Sequence, residues 1–407
     1  MAGDAWTTMP LGKFVTLQRG HDLPDERRRP GDIPILGSFG ITGWHDEAKA
    51  SGQGVTVGRS GASFGVVSYS AVAYWPLNTA LYVIDFHGNN ERFAYYLLKQ
   101  FDFSGYNSGS AQPSLNRNYI HPVPVDVPPL PEQRAIAHIL GTLDDKIELN
   151  RRMNETLEAM ARVLFKSWFV DFDPVRAKAE GRDPGLPKPL AELFPDSFED
   201  SELGEIPKGW EVGALVDFAS LNPESWSKET RPEVINYVDL SNTKWGCIEA
   251  VTAYARENAP SRAQRVLRPG DTIVGTVRPG NGSYAFISED GHTGSTGFAV
   301  LRPRRPEYAQ FIYLAATASE NIESLAHLAD GGAYPAVRPD VVMATQVVRS
   351  VDKMLERFSM FNGPLFAKMA ENERESRTLA ALRDVLLPKL LSGDISVANV
   401  EEGVTCV

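Results

Sequence analysis

Short polar loops flanked by glycine carry the side chains most able to do chemistry in this sequence. Arg59, Ser60 and Ser63 lie in VGRSGASFG, and Tyr334 and Arg338 lie in GGAYPAVRP. Arginine, asparagine, glutamine and serine hydrogen-bond to base edges, and glycine lets a backbone approach a phosphate closely. We therefore predict that these loops contact DNA, although each could instead be an ordinary turn. The candidate residues are Arg59, Ser60, Ser63, Ser108, Ser110, Gln112, Asn116, Arg117, Arg278, Asn281, Ser283, Thr293, Ser295, Thr296, Tyr334 and Arg338.

The sequence lacks the common catalytic motifs. The sequence has no GxxxxGK[ST] phosphate loop, no HExxH zinc motif, and no acid–lysine pair after Pro195 and Asp196 of the kind a nuclease needs. None of the seven histidines has a ligand partner at helical spacing, and Cys247 and Cys406 stand far apart. These absences predict no metal site and favour binding over catalysis. A stand-alone DNA-modifying enzyme with unrecognised motifs stays open as an alternative.

The chain repeats itself at a constant shift. Pro113 in GSAQPSLNR and Pro335 in GGAYPAVRP are 222 residues apart (335 minus 113), and the same shift relates Asn150 to Asn372 in the helical stretches that follow. Self-similarity at a fixed shift is the signature of a duplicated module. Two copies of a module present two related surfaces, and the candidate loops are polar in both copies.

Each copy mixes short strands with a helix. The first contains GVTVGRSGASFGVVSY, TALYVIDF and the helical ERFAYYLLKQ; the second contains DTIVGTVRPGNGSYAFI, TGFAVLRP and the helical YAQFIYLAATAS. Runs of β-branched and aromatic residues bounded by glycine and proline are typical of strands. The pattern predicts an α+β fold with two pseudo-repeated mixed α/β domains, separated by a pair of long α-helices.

The helix predicted after each copy carries apolar residues at alternating spacings of three and four. This is the seam of a helix that packs lengthwise on another helix, as in a coiled coil. Asparagine occupies the centre of both seams, which costs stability but fixes the register where it faces another polar group. The seam residues are Ile136, Leu140, Leu143, Ile147, Asn150, Asn154, Leu157, Leu164, Leu365, Met369, Asn372, Leu379, Leu382 and Leu386.

Connectivity favours antiparallel pairing of these helices. The segment between them leaves the far end of the first helix and enters the second module there, so it need not run back along the pair. Antiparallel pairing gives an approximate two-fold internal symmetry. Because proline lacks an N–H and clashes with the preceding turn, Pro364 predicts that the second helix begins or kinks there.

The net charge of −11 is concentrated outside the two modules. Residues 171–207 hold 10 acidic and 4 basic residues, so this Pro/Gly-rich connector carries more than half of the excess. The modules are nearly neutral and could present a local basic face, for which Arg262, Arg265 and Arg268 are candidates. The N-terminal segment lacks a signal-peptide pattern and no apolar run is long enough to span a bilayer, so we expect a cytoplasmic protein.

Two long segments of the sequence resemble a known family. PLPEQRAIAHILGTLDDKIELNRRMNETLEAMARVLFKSWFVDFDPVRAKAEG and LRDVLLPKLLSGDISV are similar to the two conserved helical regions of the specificity subunit of type I restriction-modification enzymes. The resemblance extends to GSAQPSLN and to the two-copy layout. It implies that residues 1–130 and 208–350 are target recognition domains 1 and 2. Residues 131–170 and 351–394 are then spacer helices 1 and 2, with the acidic connector 171–207 between the modules and a tail at 395–407.

The resemblance also implies a function and partners. Each recognition domain would read one half of an asymmetric, bipartite sequence in double-stranded DNA, and the helices would set the separation and dock two methyltransferase subunits. The chain would be non-catalytic and bind no cofactor, while S-adenosylmethionine, ATP and Mg²⁺ would belong to those subunits and to motor-nuclease subunits. Recognition domains share no sequence within the family, so no base-reading residue can be carried over. The other alternative is a scaffold or decoy that assembles methyltransferase subunits without sequence-specific reading of DNA.

Overall fold

The computed structural model describes residues 6–109, 113–227, 229–332, 334–395 and 397. The chain divides into two compact units. Unit 1 comprises the chain up to Leu149 together with the part from Glu375 onward, and unit 2 comprises Asn150–Arg374. Each long helix is therefore shared between the units, whereas the sequence prediction treated each helix as a segment of its own.

Unit 1 is built from short strands and three helices that precede the first long helix. Its strands are β1 (Thr7–Pro10), β2 (Thr16–Arg19), β3 (Ile33–Gly37), β4 (Gly40–His45), β5 (Gly54–Gly58), β6 (Val67–Ser70), β7 (Trp75–Pro76), β8 (Ala80–Asp85) and β9 (Pro124–Val127). Its helices are α1 (Leu11–Phe14), α2 (Glu91–Gln100), α3 (Arg117–Ile120) and the first half of α4 (Leu130–Phe169).

The strands of unit 1 form a four-stranded sheet in the order β2-β8-β5-β6, a three-stranded sheet in the order β4-β3-β7, and the pair β1-β9. In the three-stranded sheet, β3 pairs antiparallel with β4 and parallel with β7. Strand β5 is buried along its whole length, because GVTVG lies between two neighbours and under α2. Asn90 caps α2 by accepting a hydrogen bond from Phe93 N at 2.8 Å. This helix then places Phe93 and Tyr96 in the core of unit 1.

Unit 2 contains more strands. They are β10 (Phe198–Ser201), β11 (Gly204–Pro207), β12 (Glu211–Ala214), β13 (Ala219–Leu221), β14 (Val234–Val238), β15 (Thr243–Lys244), β16 (Cys247–Ile248), β17 (Thr252–Ala255), β18 (Ala263–Val266), β19 (Thr272–Gly275), β20 (Tyr284–Phe286), β21 (His292–Ser295), β22 (Phe298–Pro303) and β23 (Gln346–Arg349). The helices are α5 (Asp173–Ala179), α6 (Lys188–Ala191), α7 (Leu215–Phe218), α8 (Ala309–Ala316), α9 (Ser319–Leu328), α10 (Pro339–Met343) and α11 (Asp352–Leu391), of which the last continues into unit 1.

The sheets of unit 2 repeat the topology of unit 1. The order β13-β22-β19-β20 matches β2-β8-β5-β6, and the pair β12-β23 matches β1-β9. Within the second sheet, β17-β14-β21 matches β4-β3-β7, including the parallel pairing of β14 with β21. The predicted duplication and the mixed α/β character of both copies are therefore confirmed.

The acidic segment 171–207 folds onto unit 2. It forms α5, α6 and the hairpin β10–β11, and its apolar side chains Phe172, Val175, Leu190 and Phe194 belong to the core of that unit. The description of these residues as a connector is therefore incomplete. The sequence indicated this packing, because these four apolar residues are spaced through an otherwise charged stretch.

The long helices pair antiparallel within each unit. In unit 2, Asn154 Nδ2 donates to Met369 O at 3.1 Å, and further along α4 the rings of Phe165 and Phe358 lie 6.2 Å apart. Later residues of α4 therefore contact earlier residues of α11, which means that the two helices run in opposite directions. In unit 1, Lys146 and Glu375 form an ion pair at 3.1 Å, and the buried Leu387 and Leu390 of α11 pack in one cluster with Ile136 and Leu140 of α4. These contacts confirm the predicted antiparallel pair.

Asparagines occupy the polar centre of the helix pair in unit 2. Asn150 and Asn372, which hold equivalent positions in the two repeats, are both buried, and Asn150 Nδ2 donates to Asn372 O at 3.3 Å. Asn372 Nδ2 in turn donates to Asn154 Oδ1 at 2.8 Å. The expectation that each asparagine faces a polar group is confirmed, and such pairs fix the register of two helices.

The second long helix does not begin at Pro364. Helix α11 begins at Asp352 and continues through Gly363 and Pro364 without interruption. A proline inside a helix costs about 3 kcal/mol, because one backbone hydrogen bond is lost. Burial of the neighbouring Phe358 and Phe366 in the core of unit 2 offsets this cost, since each large apolar side chain contributes about 1.5–3 kcal/mol. The predicted start at Pro364 was wrong because it weighed the proline without this burial, and the predicted kink stays a prediction.

Among the helices that the structure describes, none is both long and apolar enough to cross a bilayer.

Candidate nucleic-acid interface

Two loops meet at one end of the four-stranded sheet in unit 1. They are residues 59–63, between β5 and β6, and residues 113–117, before and within α3. Leu115 N donates to Arg59 O at 2.7 Å, and Gly61 N donates to Pro113 O at 3.4 Å. The segment between β7 and β8 joins these two loops, because Arg59 N donates a hydrogen bond to Thr79 O at 3.0 Å. Backbone hydrogen bonds therefore hold the polar candidates of unit 1 in one cluster.

The same three-loop cluster is built at the equivalent end of unit 2. Here Val337 N donates to Thr276 O at 2.9 Å, and Arg278 N donates to Pro335 O at 2.7 Å. Thr276 N donates to Gly297 O at 2.8 Å, which brings in the turn between β21 and β22. The hydrogen bonds thus match one by one, although the side chains differ.

One backbone position shows how the two clusters differ. Gly61 and Arg278 make equivalent hydrogen bonds to the two repeat-related prolines, and both have left-handed backbones, with φ of 73° and 48°. Glycine adopts this conformation freely, but a residue with a Cβ pays for it. The Arg278 guanidinium lies 4.8 Å from the centre of the exposed Tyr334 ring. Unit 2 therefore holds an arginine where unit 1 has no side chain.

The predicted residues of unit 1 mostly lie at this surface. Arg59, Ser60 and Ser63 are half-buried in the first loop, and Ser108, Asn116 and Arg117 are exposed. Ser108 Oγ donates to Ser114 O at 2.8 Å, and Asn116 caps α3 by accepting a hydrogen bond from Asn118 N. Ser110 and Gln112 lie outside the described residues.

Three predicted residues of unit 2 are removed from the surface. Ser283, Thr293 and Ser295 are buried, and each makes an internal hydrogen bond. Ser283 Oγ donates to Leu240 O at 3.0 Å, Thr293 Oγ1 accepts from Trp226 Nε1 at 3.0 Å, and Ser295 Oγ accepts from Gly297 N at 3.2 Å. The structure therefore contradicts their expected place on an exposed loop, because Thr293 and Ser295 lie in the buried part of β21 and Ser283 lies buried just before β20.

The other candidates of unit 2 are accessible. Arg278, Asn281, Tyr334 and Arg338 are exposed, and Thr296 is half-buried in the turn that contacts Thr276. Arg338 forms an ion pair with Asp340 at 3.0 Å, with most of its side chain exposed.

The basic patch proposed for phosphate contact is largely neutralised within unit 2. Arg268 pairs with Glu224 and Asp290, and the hydrogen bonds that it donates to them raise the pKa of its guanidinium. Arg265 is half-buried and donates to Ser225 Oγ at 3.1 Å, and burial lowers the pKa of its guanidinium. Arg262 is exposed. Arg265 and Arg268 thus serve mainly to hold unit 2 together.

Comparison with known proteins identifies the family. A family model described as the type I restriction modification DNA specificity domain matches residues 3–159. The chain is 27% identical over 353 residues to the type I restriction enzyme MjaIX specificity subunit of Methanocaldococcus jannaschii, covering 81% of this chain and 76% of that protein. It is also 26% identical over 332 residues to the HindI specificity subunit of Haemophilus influenzae, covering 70% and 71%. The chain is therefore similar to specificity subunits of type I restriction enzymes over most of its length.

A solved structure agrees in fold. The S subunit of a type I restriction-modification system from M. genitalium is 18% identical, with a TM-score of 0.57 over 95% of this chain and 96% of that chain. The resemblance to specificity subunits that was read from the helical segments is therefore confirmed.

The long helices carry a surface that the sequence analysis missed. On α4 in unit 2, Met160 and Val163 are exposed and line a shallow groove with Ala159 and Leu164. Their spacing of three and four places them on one face of the helix. We call Met160 and Val163 the unit 2 stripe.

The repeat reproduces this stripe on the other helix. The shift of 222 residues carries TLEAMARVL onto TLAALRDVL, and Leu382 and Val385 are exposed on α11 in unit 1. We call these two residues the unit 1 stripe. Leu382 was predicted in the seam, but it faces outward, and Leu387 and Leu390 bury instead. Comparison of the two aligned segments could have revealed both stripes.

The remaining seam residues are all buried or half-buried. Ile136, Leu140, Asn150 and Asn372 are buried, and the half-buried residues are Leu143, Ile147, Asn154, Leu157, Leu164, Leu365, Met369, Leu379 and Leu386. Within the described parts of the chain, no group of three or more histidine, cysteine, aspartate or glutamate side chains could hold a metal ion.

Proposed function

We propose that this specificity subunit reads a bipartite, asymmetric DNA sequence, with one half-site read by each unit. The observation that carries the proposal is the three-loop cluster, which is built twice with the same backbone hydrogen bonds and with different side chains. A shared scaffold explains why both units address the same kind of ligand. Different side chains on that scaffold explain why the half-sites would differ, since base edges are read by side-chain chemistry.

The arginines and amides of the clusters suit base reading in the major groove. A guanidinium can donate two hydrogen bonds to guanine O6 and N7, and an asparagine amide pairs similarly with adenine. Arg278 and Asn281 supply these groups in unit 2, and Arg59, Arg117 and Asn116 supply them in unit 1. Because the chain has a net charge of −11, phosphate contacts from partner subunits must provide much of the affinity.

The two stripes are the proposed docking sites for two methyltransferase subunits. Each stripe exposes aliphatic side chains to water, and burial of these side chains by a partner would be favourable. The repeat places one stripe in each unit. Equivalent stripes would bind identical partners in the same way, which accounts for two copies of one subunit. Motor-nuclease subunits would join through the methyltransferase subunits.

The chemistry in this proposal belongs to those partners, in the cytoplasm. S-adenosylmethionine would be bound by the methyltransferase subunits, and ATP and Mg²⁺ by the motor-nuclease subunits. This chain would contribute the DNA-reading loops and the docking stripes. The continuous helices α4 and α11 would set the number of base pairs between the half-sites.

The proposal is tested by expressing the chain with its methyltransferase subunit in a methylation-free host and sequencing methyladenine across the genome. We expect one bipartite motif with a fixed spacer. The chain alone should bind no S-adenosylmethionine and methylate no DNA. Methylation by the chain alone would favour the stand-alone enzyme, and a complex that assembles without sequence preference would favour the scaffold.

A further inference from the structure

An exposed aromatic residue occupies the same topological connection in both units. In unit 1, β3 and β4 are joined by the two-residue turn Ser38–Phe39. In unit 2, the equivalent strands β14 and β17 are joined by a longer connection that contains the small hairpin β15–β16, with Trp245 and Gly246 as its turn. Phe39 is 65% exposed and Trp245 is 59% exposed. Burial within the chain therefore does not explain either ring.

The turn of unit 1 is packed against the reading cluster. A Cβ placed on Gly58, the last residue of β5, would lie 2.3 Å from Ser38 O. The backbone of the turn therefore touches the residue that precedes Arg59, and Gly58 is required for this approach. Phe39 thus stands beside the arginine-bearing loop.

The turn of unit 2 makes the corresponding contact by different means. Trp245 N donates to Gly282 O at 2.7 Å, and a Cβ on Gly282 would lie 2.6 Å from the indole ring. The indole also meets Tyr284 edge to face, with centroids 6.0 Å apart. Trp245 is therefore held against the loop that carries Arg278 and Asn281.

The backbone conformation of Trp245 is also unfavourable. Its φ of 49° lies in the left-handed region, where two-residue hairpin turns usually place asparagine, aspartate or glycine. A tryptophan in this conformation is strained, and a large exposed ring loses the benefit of burial. Arg278, in the adjacent loop, has the same backbone strain. Strain of this kind gathers where a ligand is bound.

We propose that Phe39 and Trp245 contact bases of the DNA target, each in the half-site read by its own unit. This inference rests on the proposed function and assigns it two residues that belong to none of the polar loops. A flat apolar ring beside arginine and asparagine side chains can pack on a thymine methyl group or against a partly unstacked base. The arginine and amide groups then read the neighbouring base edges.

The test uses the complete complex with its methyltransferase subunits. The target is first mapped with the wild-type complex, and affinity is then measured on duplexes that carry the intact target or a change in one half-site. Trp245→Ala should weaken binding to the intact target roughly 5- to 100-fold, as expected for loss of one base–aromatic contact. It should also reduce discrimination only in the half-site of unit 2. Phe39→Ala should do the same only for the half-site of unit 1.

Controls separate base contact from loss of structure. Trp245→Phe keeps a ring at the turn and should recover most of the affinity that Trp245→Ala loses. Val234→Ala and Val72→Ala remove exposed apolar side chains away from the turns and should have no effect, because Val234 begins β14 and Val72 follows the end of β6 that pairs with the start of β5. Wild-type affinity in both alanine variants, or equal losses at both half-sites, would overturn the inference. A wild-type complex that shows no sequence preference would instead overturn the proposed function, and this inference with it.

Discussion

A single carboxylate in a stripe should prevent one methyltransferase subunit from binding. Val163 is 68% exposed and Val385 is 55% exposed, so a docked partner would cover most of each side chain. Full burial of a valine contributes about 1.5–3 kcal/mol, and the exposed fraction of Val163 corresponds to about 1–2 kcal/mol. An unpaired carboxylate buried in its place adds a penalty of about 3–5 kcal/mol.

These magnitudes predict a clear change in stoichiometry. Val163→Asp should weaken docking at the unit 2 stripe by at least about 100-fold, at about 1.4 kcal/mol per factor of ten. Gel filtration with light scattering should then show one methyltransferase subunit per chain in place of two. Val385→Asp should act in the same way at the unit 1 stripe, and the double variant should bind none.

The chain offers matched controls for both variants. Val234 in unit 2 and Val72 in unit 1 are 61% and 57% exposed and lie outside the stripes. Val234→Asp and Val72→Asp add the same charge at similar exposure and should leave two subunits bound. Complexes of Val163→Asp and Val385→Asp with the wild-type stoichiometry would refute the assignment of the stripes.

Three further predictions concern stability, strain and spacing. Arg278→Gly should relieve the left-handed strain and raise the free energy of unfolding by about 1 kcal/mol in chemical denaturation, while weakening specific DNA binding; a loss of stability would contradict the strain argument. Asp271→Ala should destabilise unit 2 by about 3–5 kcal/mol, because Asp271 is fully buried and accepts two hydrogen bonds from Arg302 at 2.9 Å; an unchanged denaturation midpoint would exclude this role. Insertion of four residues after both Leu149 and Arg374 should lengthen the spacer between half-sites by about two base pairs, since one helical turn adds about 6 Å and a base pair about 3.4 Å. An unchanged spacer in the methyladenine map would refute the measuring role of the helices.

The sequence predicted those parts of the fold whose signals are periodic or repeated. The strands in GVTVG and DTIVG and the helix in ERFAYYLLKQ lie where their patterns indicated. The 222-residue shift identified the duplication because the helices and the proline loops kept their residues. The three-loop cluster could not be predicted, because backbone hydrogen bonds between distant segments hold it together.

The failures share one cause, which is burial by tertiary contacts. Pro364 is accommodated because aromatic residues on either side of it are buried in unit 2. Ser283, Thr293 and Ser295 have the residue types of exposed loops, but the fold of unit 2 buries all three side chains. Phe39 and Trp245 were overlooked for the opposite reason, because aromatic residues in a sequence suggest a core until the structure places them outside.

The central claim is that each unit reads its own half-site. Its most direct test replaces residues 1–130 with those of another type I specificity subunit and maps methyladenine in cells that express the hybrid with the methyltransferase subunit. We predict that one half of the motif changes, while the other half and the spacer length stay as in the wild type. A change in both halves, or in neither, would contradict the account.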